Sequence, residues 1–315
     1  MFETFDLVAQ IVIAALLAWF GVRAWRSQNR LLKWVGAGSA FFLTVVASVT
    51  IVLTSAGMLK LSARTAATPN LKVAGTANQI QRGQAIANGF CGACHSRTGT
   101  LTGGLDIGKD LSVPVGSFVS SNLTAAGQLA HWSDGEIFRA IRNGVDAKGH
   151  WLIMMSYTNA GKLSDEDIKA IIAYIRSLPA AGQVTPDPPD RLNPLGLVML
   201  GAGLLPSGKP VLNGAIKAPP KSPSAQYGEY ILSYQDCREC HGSKLTGGVQ
   251  GQLAPIGPGL NLVKDWTLED FISTLRTGMD PSGHQLGKEM PWQPIGKMDN
   301  EELTAMYEYL VGLPD

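Results

Sequence analysis

The chain has 315 residues, enough for two or three domains. Its formal net charge is +1 and its charged residues make up 16%, below the usual quarter or so, so no basic footprint points to nucleic acid. The apolar excess is concentrated at the N-terminus, which reads as a different kind of segment from the rest.

Leu7 to Val22 carries one polar residue, Gln10, and Val35 to Met58 carries only small hydroxyl residues and no charge. A membrane-spanning helix needs about 20 apolar residues. The second run meets this outright. The first meets it with Phe5, Ala24 and Trp25, if Arg23 snorkels to the interface. Residues 1–60 are therefore expected to be a two-helix transmembrane anchor, rather than a buried core helix or a signal peptide. Arg23, Arg26, Arg30 and Lys33 all lie between the runs, which places that loop in the cytoplasm and both termini outside. Trp19, Trp25 and Trp34 suit interfacial positions. The expected location is the inner membrane of a bacterium. After a linker over 61–78, the remaining chain is expected in the periplasm.

All four cysteines fall in two copies of one pattern, "FCGACHS" and "DCRECHG". An oxidising compartment favours disulfides, but a disulfide needs no histidine after each pair. Zinc binding and CxxC redox chemistry also use such spacings. C-x-x-C-H is the signature of covalent haem c attachment. In that reading the thiols of Cys91 and Cys94, and of Cys237 and Cys240, join the haem vinyl groups. His95 and His241 are then the proximal iron ligands. Two matches with no cysteine left over predict two covalently bound haem c groups.

The surrounding sequence repeats as well. "HWSDGEIFRAIRNGVDAKGH" pairs with "DWTLEDFISTLRTGMDPSGH", aligning Trp132 with Trp266 and Arg142 with Arg276. "KLSDEDIKAIIAYIRSLP" pairs with "KMDNEELTAMYEYLVGLP". The repeat predicts one duplicated unit, at 79–180 and 224–315. Each unit reads as helical. Ser133 with Glu136 and Thr267 with Asp270 have capping-box spacing, as do Ser164 with Asp167 and Asp299 with Glu302. Ile168, Ile171, Ile172 and Ile175 fall on one face of a closing helix, as do Leu303, Met306, Tyr307 and Leu310.

A six-coordinate haem needs a second axial ligand, expected on the loop before each closing helix. Met155-Ser156-Tyr157 lines up with Met290-Pro291-Trp292, so Met155 and Met290 are the expected ligands. Met154, His150 and His284 are the competitors, and filling a core gap is the ordinary job of a methionine. Trp132, Arg142, Trp266 and Arg276 are candidates to hold haem propionates, against a core tryptophan and a solvated helix-end arginine. His131 has no counterpart in the second copy. No histidine precedes residue 95, so the apolar helices cannot hold a bis-histidine haem.

Residues 79–315 resemble the cytochrome c subunits of membrane-bound alcohol, aldehyde and gluconate dehydrogenases. The resemblance is strongest over "SSNLTAAGQLAHWSDGEIFRAIRNGVDAKGHWLIMMSYTNAGKLSDEDIKAIIAYIRSLP". It implies an all-α fold of two tandem class I cytochrome c domains, with the helix of Gly83 or Gly228 crossing the closing helix near Tyr174 or Tyr309. It also implies Met155 as iron ligand. Those subunits usually carry three haems, and this chain has motifs for two. An anchored dihaem layout also resembles a subunit of some haem-copper oxidases.

The linker over 181–223 is rich in proline, and its apolar stretch at 194–206 is too short to span a membrane. It is expected to pack in the groove between the two haem units, or else to touch the bilayer or a partner. The function implied is single-electron transfer on the periplasmic side by a non-catalytic subunit, with other subunits of a membrane complex and redox donor and acceptor proteins as partners. The complex expected is a respiratory or photosynthetic one; the alternatives are a cytochrome subunit of a periplasmic dehydrogenase or of a haem-copper oxidase, or a dihaem enzyme such as a peroxidase, which would need an open iron position.

Overall fold

The computed structural model describes residues 2–96, 99–252 and 254–313. It divides into two units, and each is taken by itself. The first comprises Met1–Arg64, Asp106–Phe118 and Asp190–Ser207. The second comprises Thr65–Leu105, Val119–Pro189 and Gly208–Asp315.

In the first unit, α1 (Phe2–Trp25) and α2 (Ala37–Ala63) pack along each other. Small residues set their approach. Ala24, Ala37 and Ala40 are buried, and a Cβ on Gly21 would lie 3.2 Å from that of Ala40. The Thr54 hydroxyl, fully buried, donates to Gln10 Oε1 at 3.2 Å, so the first run's polar residue is satisfied by the second helix. Large apolar side chains point outward instead: Leu16, Phe41 and Val52 are 60–71% exposed. Both helices are long and apolar enough to cross a membrane.

The second unit holds both copies of the repeat. In order, α3 (Ala77–Ile86), α4 (Gly92–His95), α5 (Asp134–Asn143), α6 (Ile153–Tyr157) and α7 (Asp165–Ser177) make the first. A three-residue strand, β1 (Gly116–Phe118), falls within this stretch but belongs to the first unit, where it pairs antiparallel with β2 (Asp190–Leu192). Also in the first unit is α8 (Pro194–Gly201), opened by an Asn193 cap that accepts from Gly196 N–H at 2.9 Å. The apolar stretch expected in the groove between the haem units is this helix, and it packs on α2 instead.

The second copy is built by α9 (Ala225–Tyr234), α10 (Cys237–His241), α11 (Leu268–Thr277), α12 (Trp292–Ile295) and α13 (Asn300–Val311). Capping boxes form at Ser133/Glu136, Thr267/Asp270 and Asp299/Glu302. Gly144 and Gly278, at φ 61° and 75°, close α5 and α11 in the left-handed region. The isoleucine face of α7 is almost completely buried, each side chain contributing about 1.5–3 kcal/mol. In each copy the first helix meets the closing helix backbone to backbone. A Cβ on Gly83 would lie 1.9 Å from Ala170 O, and one on Gly228 would lie 1.9 Å from Ala305 O. The crossings thus fall one turn before Tyr174 and Tyr309. The fold is mostly helical, with cytochrome-like helix pairs in tandem.

Candidate functional site

After α3 the backbone widens into a π-helical turn, Ala87–Cys91, and continues into α4, which carries Cys94 and His95. In the second copy α10 carries Cys237, Cys240 and His241. Each histidine is held by a backbone carbonyl. His95 Nδ1 lies 2.8 Å from Ser121 O, and His241 Nδ1 lies 2.7 Å from Pro258 O. A carbonyl can only accept, so Nδ1 carries the proton and Nε2 is left as the free donor atom for a metal. Burial pushes the His95 pKa down, which keeps that imidazole neutral and ligating.

The thiols do not suit the rival chemistries. None of the four cysteines is in a disulfide. Burial pushes Cys91 and Cys237 up to about 12 and also raises Cys94 and Cys240, whereas a redox CxxC needs a lowered thiol. Among the described residues no three His, Cys, Asp or Glu side chains converge as a metal-binding group.

A cavity of about 170 Å³ opens beside the first motif. Cys91, Cys94 and His95 line one side, and Met155 and Trp132 also reach it. Leu129, Ile137, Leu152 and Ile171 make its walls apolar. A thiol pair, an imidazole with a free Nε2 and a thioether around an apolar space fit a haem c. Met155 sits in the short helix α6, and Met154 is not among the lining residues. His150 points elsewhere: its side chain is half exposed and its Nδ1 pairs with Asp146 Oδ2 at 2.9 Å. His284 faces Asp280 in the same way, at 3.7 Å. In the second copy Met290 is half-buried against the core, as is Trp266.

The two arginines have other work. Arg142 is buried and donates to Gly161 O at 2.6 Å, Leu163 O at 2.7 Å and Asp165 Oδ1 at 2.5 Å. Arg276 donates to Gly296 O, to Met298 O at 2.8 Å and to Asn300 Oδ1 at 3.0 Å. Each ties the end of one helix to the start of the closing helix by satisfying backbone carbonyls. These contacts engage both guanidiniums with the protein itself, and Arg142 is not among the residues that line the cavity.

The sequence also hid how the two copies meet. Pro291, Pro294 and Ile295, directly after Met290, form part of the first motif's cavity wall, with Gln235 and Asp236 beside them. Phe90 stacks edge-on against Tyr234, ring centres 5.9 Å apart. Arg82 bridges Asp167 in its own copy, at 2.8 Å, and Glu302 in the other. Burial alone would pull the Arg82 pKa down, but the hydrogen bond and charge of Asp167 outweigh it and push it up. Asn159 N–H donates to Asp236 Oδ1 at 2.7 Å.

Residues 78–175 match the family model described as cytochrome c oxidase, cbb3-type, subunit III, and residues 225–314 match that of cytochrome c. Over 261 residues the chain is 28% identical to a nicotinate dehydrogenase subunit of Pseudomonas putida, covering 76% of this chain and 22% of that protein. It is 25% identical over 264 residues to the fructose dehydrogenase cytochrome subunit of Gluconobacter japonicus, covering 75% and 52%. It is 35% identical over 101 residues to the gluconate 2-dehydrogenase cytochrome c subunit of Pantoea cypripedii, covering 30% and 22%. The chain thus spans from about a fifth to about half of these relatives' lengths. Both copies of the repeat are cytochrome c domains, and the cofactor they imply is haem c.

Proposed function

We propose that this chain of two cytochrome c domains is a membrane-anchored dihaem subunit that passes single electrons on the periplasmic side of a bacterial inner membrane, within a dehydrogenase complex. Each haem, when bound, supplies a one-electron iron couple. Cys91 and Cys94 would hold one haem covalently, and Cys237 and Cys240 the other. His95 and Met155, and His241 and Met290, would hold the two irons. The domains carrying them would run over 79–180 and 224–315.

One observation carries the relay: the segment after Met290 is a wall of the cavity beside Cys91 and His95. The segment that follows one expected iron ligand thus adjoins the cavity of the other copy. An iron held by both a histidine and a methionine would keep no position for a substrate, which favours a carrier over a peroxidase-like enzyme. The outward apolar surfaces of α1 and α2 support the anchor, because a soluble core helix would bury them. The basic loop between the two helices supports a cytoplasmic hairpin end.

The relatives' names favour a dehydrogenase as the partner. The match of residues 78–175 to an oxidase subunit favours a second reading, donation to a haem-copper oxidase. Gentle extraction from the native membrane, with identification of the co-purifying subunits, separates these. A flavin or quinone dehydrogenase that reduces the haems with its substrate supports the first reading. A terminal oxidase in the same complex supports the second, and a protein that purifies alone with an open, ligand-binding iron contradicts both.

A further inference from the structure

Helix α8 interrupts the linker between the two cytochrome c domains, and electron transfer gives it no role. From Asn193 to Gly208 the sequence has no ionisable side chain, while Arg191 and Lys209 flank it. The segment is too short to span a bilayer. Its helix is nevertheless well made, with Asn193 as cap and Pro194 in the first turn.

Its partner is the outer end of α2. Gly201 lies so close that an added Cβ would be 1.9 Å from Leu53 O, and one on Gly57 would be 2.2 Å from Leu197 O. The Lys60 ammonium then caps the carbonyl end of α8, at 2.8 Å from Leu200 O and 3.2 Å from Gly201 O. Lys60 is the first charge after the long apolar run of α2, so it marks where that run leaves the hydrocarbon. Gly57 and Leu53 lie three and seven residues before it. At 1.5 Å per residue the crossing is roughly 5–10 Å inside that boundary. Helices lying in a membrane interface sit at about 5–10 Å.

Apolar side chains remain uncovered there. Leu195 and Leu204, at and just beyond the two ends of α8, are exposed. So are Leu111 and Val113, on the chain that Asn193 holds by its N–H to Val115 O and its side chain to Pro114 O. A soluble face rarely leaves such a cluster open. On α2, Val52 and Leu59, next in sequence to Leu53 and Lys60, are exposed as well.

We infer that α8 is an interfacial helix, seated in the outer leaflet of the bilayer, and that the occupant of its exposed face is lipid. The linker between the haem domains is then a third point of membrane attachment, pinned to α2 through Lys60. This rests on the reading of α1 and α2 as spanning helices.

The test places a nitroxide at one site at a time, as Leu204→Cys, Val52→Cys or Val184→Cys, in the full haem-loaded protein reconstituted in lipid nanodiscs. Collision with oxygen, which concentrates in lipid, is compared with collision with a water-soluble nickel chelate. The expected result is oxygen-favoured relaxation at Leu204, shallower than at Val52, and nickel-favoured relaxation at Val184, which is exposed in the second unit. Nickel-favoured relaxation at Leu204 with oxygen-favoured relaxation at Val52 overturns the inference and leaves the anchor standing. Shielding of Leu204 from both reagents overturns it in favour of a protein partner. Nickel-favoured relaxation at Val52 as well removes the anchor itself, and this inference with it.

Discussion

The Tyr230 hydroxyl of one copy donates to Asp167 Oδ2 of the other at 2.5 Å, and it accepts the backbone N–H of Ser164 at 2.8 Å. All three groups are buried, so the contact holds the two domains together through polar atoms that water does not reach. Tyr230→Phe strands the buried Ser164 N–H and leaves Asp167 Oδ2 with the Arg82 guanidinium, at 3.2 Å, as its remaining donor. The expected loss is about 1–3 kcal/mol in denaturant unfolding followed at the haem absorption, with haem content unchanged. Unaltered stability would mean that the interface is wet or open in solution.

The helix crossings tolerate no side chain. Gly83→Ala and Gly228→Ala each drive a methyl group into a carbonyl oxygen of the closing helix. Backbone atoms must move apart, so each variant is expected to lose several kcal/mol, on the scale of severe core overpacking, and to accumulate poorly as haem-loaded protein. Gly214→Ala meets nothing within 4 Å and serves as the neutral control.

The acid limb of stability follows from the caps. Backbone and then side-chain hydrogen bonds from Ser133 hold the Glu136 carboxyl below its usual range. Its folded pKa is thus depressed, so its contribution is present above the unfolded value and fades as pH falls through the folded one. A thermal unfolding series from neutral pH into the carboxylate range should decline more gently in Glu136→Gln, whose starting stability is lower. An identical acid slope would remove the cap from the account.

The iron ligands are tested by substitution and spectroscopy. Met155→His and Met290→His are each expected to keep one haem low-spin, lower its potential alone and remove its share of the red-edge ferric charge-transfer band, because imidazole stabilises ferrous iron less than a thioether does. Met154→Leu is expected to leave both haems unchanged. Loss of the band in the Met154 variant, with retention in the Met155 variant, would shift the ligand by one residue.

Much of this was legible in the sequence, because local chemistry carries it. The cysteine pairs with their histidines, the repeated phrases and the caps at Ser133, Thr267 and Asp299 are all read within a few residues. What stayed hidden depends on distant partners. Asp167 has the spacing to complete a box with Ser164, but its carboxylate is taken by Arg82 and Tyr230, so only the Ser164 half of the cap forms. Arg142 and Arg276 donate to carbonyls some twenty residues on, at Gly161 and Gly296. The three-residue β1–β2 ribbon is too short to leave a period-2 pattern, and the partner of α8 lies about 140 residues away in α2. Neither composition nor spacing could report such pairings.

Loaded at both motifs, one chain would carry two haems through four thioether bonds. The direct measurement is the pyridine haemochrome of the purified protein after denaturation and extraction with acidified acetone, with the haem counted per polypeptide. Two haems are expected to be retained per chain, falling to one in Cys91→Ala/Cys94→Ala and to one in Cys237→Ala/Cys240→Ala. Haem that leaves with the solvent, or a retained count other than two in the unaltered chain, would contradict it.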